Sequence, residues 1–206
     1  MYIQDYKETV LKRDELEEKL IKCILEAPLR KEVVDALVDT IQIRTYEAGD
    51  ILLRAGQIAV ECYHNLQGCV RQYYLVDGEE VTTFFYTEGQ NIGSYASTTR
   101  REPARHYLTC VEETALAVLT PKQENELYRK FPRLESLARA GMEEQLGDYQ
   151  EMLANYITTT PEERYLDLME NRPELLNRVP QYQLASYIGV KPESLSRIRR
   201  RIMVEK

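Results

Sequence analysis

The sequence predicts an α+β chain in which an antiparallel β domain is followed by a long helix and a small all-helical C-terminal domain. Three observations predict it. Between Ile41 and Leu119, short apolar or alternating runs ("IQIRTY", "ILLR", "VECYHNL", "CVRQYYLV", "EEVTTFFY", "HYLTCV", "TALAVL") are separated by turn signals at Ala48-Gly49-Asp50, Gly56, Gly68, Asp77-Gly78 and Gly89, a spacing of roughly 8–12 residues typical of a barrel or sandwich. From Thr120 onward the texture turns helical. The charge is also divided. The chain carries −7 overall, yet Arg178–Lys206 holds seven Lys/Arg against two Glu, a local balance of +5 that leaves −12 on the first 177 residues.

Residues Asp5 to Glu26 place Val10, Leu11, Leu16, Leu20, Ile24 and Leu25 among dense charges, a helical pattern with one apolar stripe. In the β region, Asp77-Gly78 between "RQYYLV" and "EEVTTFF" reads as a hairpin turn, because glycine tolerates the positive φ of a primed turn. Thr120-Pro121-Lys122-Gln123 then starts a helix: Thr at the N-cap, Pro at N1, and Gln at N3 able to return a bond. A second helix follows Phe131-Pro132 and runs to about Tyr156. Along it Met142, Leu146, Tyr149, Leu153 and Tyr156 recur at steps of four and three, a seam that suits core packing or a partner helix. Lying between a β domain and a basic tail, this helix has little else to bury against, so self-association as a homodimer is the economical expectation. Thr160 and Glu163 form the next capping box, and that helix ends at Arg172-Pro173. The expected division is 1–131 for N-terminal helices and sensor, 132–157 for the dimerisation helix, and 158–206 for the C-terminal domain.

At 206 residues, 43% hydrophobic and 30% charged, the chain has enough material for two cores. It contains no apolar run near the ~18 residues of a membrane span, and its N-terminus is too charged for a secretory signal, so a cytoplasmic location is expected and no membrane partner. Cys23, Cys62, Cys69 and Cys110 form no C-x-x-C pair, so reduced thiols are expected; His64 beside Cys62 is a thin hint of metal, and no metal site is assigned. Nothing marks an enzyme and no catalytic residue is assigned. The carboxylate pairs Glu79-Glu80, Glu112-Glu113 and Glu162-Glu163 are adjacent, so they diverge in strands and sit in solvated first turns in helices.

The C-terminus carries the strongest pattern. From Gln181, the residues Leu184, Ala185, Ile188, Gly189, Val190, Leu195 and Ile198 fall where a helix-turn-helix needs inward apolar groups, a close helix crossing and a glycine turn. Pro192 suits N1 of the second helix. Glu193, Ser194, Arg197, Arg200 and Arg201 then project outward. In a major groove Arg197 would reach guanine O6/N7 and Glu193 would accept from cytosine N4, with Ser194 serving a base or a phosphate; Arg199, Arg200 and Arg201 would grip phosphates.

With "AGDILLRAGQ", "YHNLQGCVRQYYLVDGEE", the long helix, "TPEERYLDLM" and "VPQYQLASYIGVKPESLSRIRR" in this order, the chain resembles the CRP/FNR family of bacterial transcription regulators from about Leu29 to Arg201. The resemblance implies a β-roll sensor of the cyclic-nucleotide-binding, jelly-roll type, a homodimer joined along the long helix, and a pseudo-palindromic double-stranded operator. RNA polymerase is a further candidate partner. Pro192 replaces a side chain that contacts DNA in many relatives, and with Met203 to Lys206 following the helix, little or no wing is expected. Family members that bind cyclic nucleotides use a Gly-Glu pair for ribose and an Arg followed by a small hydroxyl residue for phosphate. Here Gly93 fits, Ser94 stands in place of Glu, and the phosphate pair falls on Ala104-Arg105 or, slid by one, on Arg105-His106. A serine cannot supply the charged acceptor pair of a carboxylate. Gly93, Ser94, Arg105 and His106 are therefore effector-pocket candidates for an unknown ligand other than cAMP, or for none at all; neither an iron–sulfur nor a haem signature is present. The alternative is a small-ligand-binding module whose C-terminal domain contacts protein.

Overall fold

The computed structural model describes residues 15–20 and 29–204. Most of the helix expected over Asp5–Glu26 lies outside these; 15–20 is helical (α1), and its Leu16 and Leu20 are buried against Leu66, Ala115 and Ala117. After α2 (Lys31–Thr40), eight strands form two four-stranded antiparallel sheets: β1 (Gln42–Tyr46), β2 (Ile51–Leu53), β3 (Cys62–Gln67), β4 (Val70–Val76), β5 (Glu79–Tyr86), β6 (Asn91–Ile92), β7 (Tyr107–Cys110) and β8 (Thr114–Leu119). One sheet has the order β1-β8-β3-β6 and the other β2-β7-β4-β5. Their inner faces share a core of Leu53, Val70, Tyr86, Ile92, Leu108 and Leu116, which gives the jelly-roll-like sandwich.

Seven strands fall on the seven runs identified in the sequence, because each run is either apolar, as in β8, or alternating. The short β6 and helix α3 (Tyr95–Arg100) do not follow from pattern. Two residues are too few to show a period; β6 exists because Ile92 and Asn91 pair with Tyr63 and His64. In "YASTTR" no apolar stripe exists, and α3 is held by tertiary bonds instead: Ser97 Oγ accepts from the Ala59 N–H and donates to the Glu102 carbonyl. The Asp77-Gly78 turn has φ of +53° and +85°, the pair of left-handed residues that a type I′ turn requires.

Four helices and a short turn complete the chain after α4 (Pro121–Lys130): α5 (Pro132–Thr158), α6 (Pro161–Asn171), the short α7 (Leu175–Arg178), α8 (Gln181–Tyr187) and α9 (Pro192–Val204). Both capping boxes form. Gln123 Oε1 accepts from the Thr120 N–H at 2.9 Å, and Glu163 Oε2 from the Thr160 N–H at 2.8 Å. Among the described residues no helix is long and apolar enough to cross a membrane.

The C-terminal helices are docked on the sandwich. Phe85 of β5 and Cys69 of the β3–β4 turn are fully buried, not inside the sandwich but in a cluster with Tyr165, Leu175, Leu184 and Ile188. Strand β5 is a sheet edge, and Ser186 of α8 satisfies it: its Oγ accepts from the Thr82 N–H and donates to the Glu80 carbonyl, both at 2.9 Å. Arg172 donates to the Phe85 carbonyl at 3.0 Å. Arg178 closes the contact as a clamp, with Nη1 2.9 Å from Glu88 Oε2 and Nε 2.9 Å from Glu112 Oε1.

Burial pushes the Glu88 carboxyl up, but its bonds from Arg178 and from backbone N–H groups outweigh this and hold it below the ordinary carboxylate value. A folded pKa below the unfolded one means that this stabilisation is present above the unfolded value and disappears as pH falls through the folded one. Arg178→Met is thus expected to cost about 1 kcal/mol in urea unfolding at neutral pH, the scale of a partly exposed charge network. The difference from wild type should shrink as pH drops below about 4; a difference that is independent of pH would show that Arg178 acts through packing alone.

Candidate functional site

The helix-turn-helix forms where the sequence places it. Leu184, Ala185, Ile188, Leu195, Ile198 and Ile202 are all buried, and Val190 is half-buried over the turn, its N–H donating to the Ala185 carbonyl at 2.9 Å. Gly189 has φ +78°, and a Cβ there would lie 2.5 Å from the Tyr156 hydroxyl, so glycine is required both by the backbone and by the ring packed beside it. Arg164, which the sequence reading did not single out, ties this corner together. Its Nε donates to the Ile188 carbonyl at 3.0 Å, its Nη1 donates to the Tyr156 carbonyl at 3.1 Å, and its guanidinium stacks 4.5 Å over the Tyr156 ring. Nothing in a lone arginine at the fourth position of a helix announces such a role.

On the outer face of α9, Glu193, Arg197, Arg200 and Arg201 are exposed, whereas Ser194 and Arg199 are half-buried. Arg197 Nη2 donates to Ser194 Oγ at 3.0 Å. Arg201 is in an ion pair with Glu162 of α6 at 2.8 Å. Ser194, Arg197, Arg201 and Glu162 rim an open cleft of about 440 Å³ between α9 and the N-terminus of α6. The face is therefore basic, outward and backed by a rigid helix pair, as recognition of a polyanion requires.

The five seam residues of α5 divide by neighbour. Met142, Leu146 and Leu153 are 49%, 57% and 58% exposed, and Ile157, absent from the sequence reading, is 71% exposed. Tyr149 instead turns to the sandwich, packing edge-on against Phe84 at 5.3 Å with its hydroxyl 3.4 Å from that of Tyr86. Gln145 supports it, donating to the Tyr149 hydroxyl at 3.1 Å and to the Asn91 carbonyl at 3.2 Å. Tyr156 lies under Arg164 at the helix-turn-helix.

The effector-pocket candidates are likewise separated by side-chain direction. Gly93 leads into α3, and Ser94 is buried, its carbonyl accepting from the Thr98 N–H. Across 104–106 the chain alternates: Ala104 and His106 are buried and Arg105 is exposed, so the arginine turns away from the interior. His106 lies 5.5 Å from Tyr74, its Nε2 is buried without a partner, and burial lowers its pKa, favouring the neutral ring. His64 is engaged with Asn91 at 2.8 Å, and among the described residues no group of His, Cys, Asp or Glu is gathered for a metal. Cys62, Cys69 and Cys110 are free thiols, with burial pushing them up to about 11, 12 and 11; Cys23 lies outside the described residues.

A β sandwich, a long connecting helix and a docked helix-turn-helix with a basic outer face make up the fold. Residues 43–131 match the cyclic nucleotide-binding domain family, and the fold is that of the CRP/FNR-type regulators. The c-di-GMP responsive global regulator CLP of Xanthomonas campestris aligns over 85% of this chain and 93% of its own, with TM-score 0.68 and 16% identity. FixK2 from Bradyrhizobium japonicum aligns over 80% and 85%, with TM-score 0.67 and 15% identity. The catabolite activator protein of Thermus thermophilus aligns over 86% and 85%, with TM-score 0.51 and 22% identity. No curated protein sequence matches the chain.

The residues do not fit the cyclic nucleotide that the domain family implies. The inward groups at the cradle are Ser94 and the ring of His106, while Arg105, the cation needed for a cyclic phosphate, is exposed. A ligand present at ~100 times its Kd stabilises a protein by about 2.7 kcal/mol, several degrees in melting temperature at this size. Cyclic AMP at ~1 mM is expected to give no such shift; stabilisation by several degrees would restore it as the ligand.

Proposed function

We propose that the chain is a homodimeric, sequence-specific DNA-binding transcription regulator, acting in the cytoplasm, whose sandwich senses an effector other than cAMP. The observation that carries this is the outer face of α9: four exposed charged side chains, three of them arginine, on a helix whose opposite face is locked into a helix-turn-helix core, in a chain that is otherwise acidic. A basic face on an acidic protein serves one polyanionic partner without general attraction to others. The working units are the sensor up to residue 131, the long helix, and the reading domain from residue 158. RNA polymerase is the partner a DNA-bound regulator would meet; no enzymatic step is assigned.

Arg197 is the base reader, reaching guanine O6/N7, with Glu193 accepting from cytosine N4 and Ser194 holding Arg197 in place. Arg199, Arg200 and Arg201 supply phosphate contacts. Arg197→Ala is expected to reduce the preference for a selected pseudo-palindrome over its scrambled version by about 1–3 kcal/mol per half-site while random-sequence binding persists. Unchanged discrimination in a competition binding assay would sink the assignment, and a wild-type protein that retains no duplex at low salt would point to a protein partner instead.

The dimer is supported by the exposed stripe of Met142, Leu146 and Leu153, apolar surface that no other element covers among the described residues. Leu146→Asp with Leu153→Asp is expected to convert the chain to a 24.1 kDa monomer in light scattering. Both lie away from the sandwich core, so the monomer should stay folded by circular dichroism; a dimer that survives both changes would place the interface elsewhere.

A further inference from the structure

We propose that Glu162 is a built-in competitor for the DNA backbone: it holds Arg201 in the free protein, and a phosphate takes its place when duplex binds. The inference rests on the reading of α9 as the DNA-reading helix. Glu162 is the second residue of α6, whose N-terminus opens onto the same cleft as Ser194, Arg197 and Arg201. Free backbone N–H groups and the positive end of the helix dipole draw anions to such a position, and a neighbouring guanidinium adds a full charge. In this chain the position is supplied with internal anions. Glu163 folds back to the Thr160 N–H and completes the cap. Glu162 is left to pair with Arg201 at 2.8 Å.

Among the described residues, Arg201 is the one arginine of α9 held in an ion pair with a carboxylate. Arg197 is bonded to the neutral Ser194 instead, which orients it without neutralising it. The two arginines on this cleft are thus prepared differently. Arg197 is set for directional contact, while the charge of Arg201 is masked until a stronger anion arrives. The side chains of Arg201 and Glu162 are 58% and 29% exposed, so the pair contributes little to folding and can open without disturbing the helices. Its effect falls on binding. Every phosphate contact strengthens cognate and random duplex alike, so a carboxylate that competes for one such contact lowers sequence-independent affinity and leaves the base contacts a larger share of the total.

The test uses the full chain, with wild type, Glu162→Gln, Arg201→Ala and the double variant. Each is titrated by fluorescence anisotropy against a random-sequence duplex and a selected pseudo-palindrome over a range of salt. Glu162→Gln keeps the shape and a neutral hydrogen bond but removes the charge. It is expected to bind random duplex about three- to tenfold more tightly at low salt. Its salt dependence should be steeper, its discrimination lower and its melting temperature unchanged. In the Arg201→Ala background the same substitution should give no gain. Equal random-duplex affinity in wild type and Glu162→Gln, or a gain that persists without Arg201, overturns the inference while leaving α9 as the reading helix. Failure of the wild type to bind either duplex overturns the DNA-binding reading itself, and this inference with it.

Discussion

The insertion of Phe85 into the helix-turn-helix core is the contact on which the arrangement of the molecule depends. It follows from a rule of strand geometry: successive side chains of β5 must point to opposite faces. Tyr86 goes inward to the sandwich, and Phe84 meets it at 4.5 Å while presenting its ring to Tyr149 of α5. Phe85, between them, is forced outward, and a fully buried phenyl ring on the outer face of a sheet needs another core to receive it. The C-terminal helices provide that core, with Tyr187 edge-on at 5.2 Å. Three consecutive residues therefore join sandwich, long helix and helix-turn-helix. Burying a phenyl ring contributes about 1.5–3 kcal/mol, more than any of the partly exposed ion pairs around it.

Arginines divide between two tasks according to what lies around them. Arg164, Arg172 and Arg178 are half-buried and spend their donors on carbonyl oxygens and carboxylates of the same chain. Arg164 and Arg172 meet backbone carbonyls at the ends of α5, α8 and β5, and Arg178 meets the carboxylates of Glu88 and Glu112; such bonds make the junctions directional, which apolar contact alone would not. Arg197, Arg200 and Arg201 of α9 are exposed, away from the buried stripe of Leu195, Ile198 and Ile202, and among the described residues Arg197 bonds to Ser194 and Arg201 to Glu162. Local position relative to the core decides which arginine is structural and which is available. Net charge gives no such information: the −7 total conceals both groups.

What was legible in the sequence is what local rules dictate. The seven longer strands, the type I′ turn at Asp77-Gly78, both capping boxes and the buried set from Leu184 to Ile198 each depend on residues within a few positions of one another. What was not legible depends on partners distant in sequence. The seam spacing of α5 correctly places Met142, Leu146, Tyr149, Leu153 and Tyr156 on one broad face, yet spacing does not say that Tyr149 and Tyr156 each find a partner inside the same chain. Whether the phosphate pair falls on Ala104-Arg105 or on Arg105-His106 turns on an alignment gap of one residue; in the folded chain Ala104 and His106 are buried and Arg105 is exposed. These residues precede β7, so no strand alternation in the sequence fixes which of them faces inward.

Those two tyrosines also tie the sandwich to the helix-turn-helix through α5. Tyr149 and Tyr156 are seven residues apart, two turns of α5, and so lie on nearly the same side of one rigid element. The first is hydrogen-bonded at the mouth of the sandwich, where Tyr86 in turn donates to Gln72 at 3.1 Å. The second lies against Gly189 in the turn that sets the angle between α8 and α9. The clamp at Arg178 and the buried Phe85 hold the other side of the same domain to the sandwich.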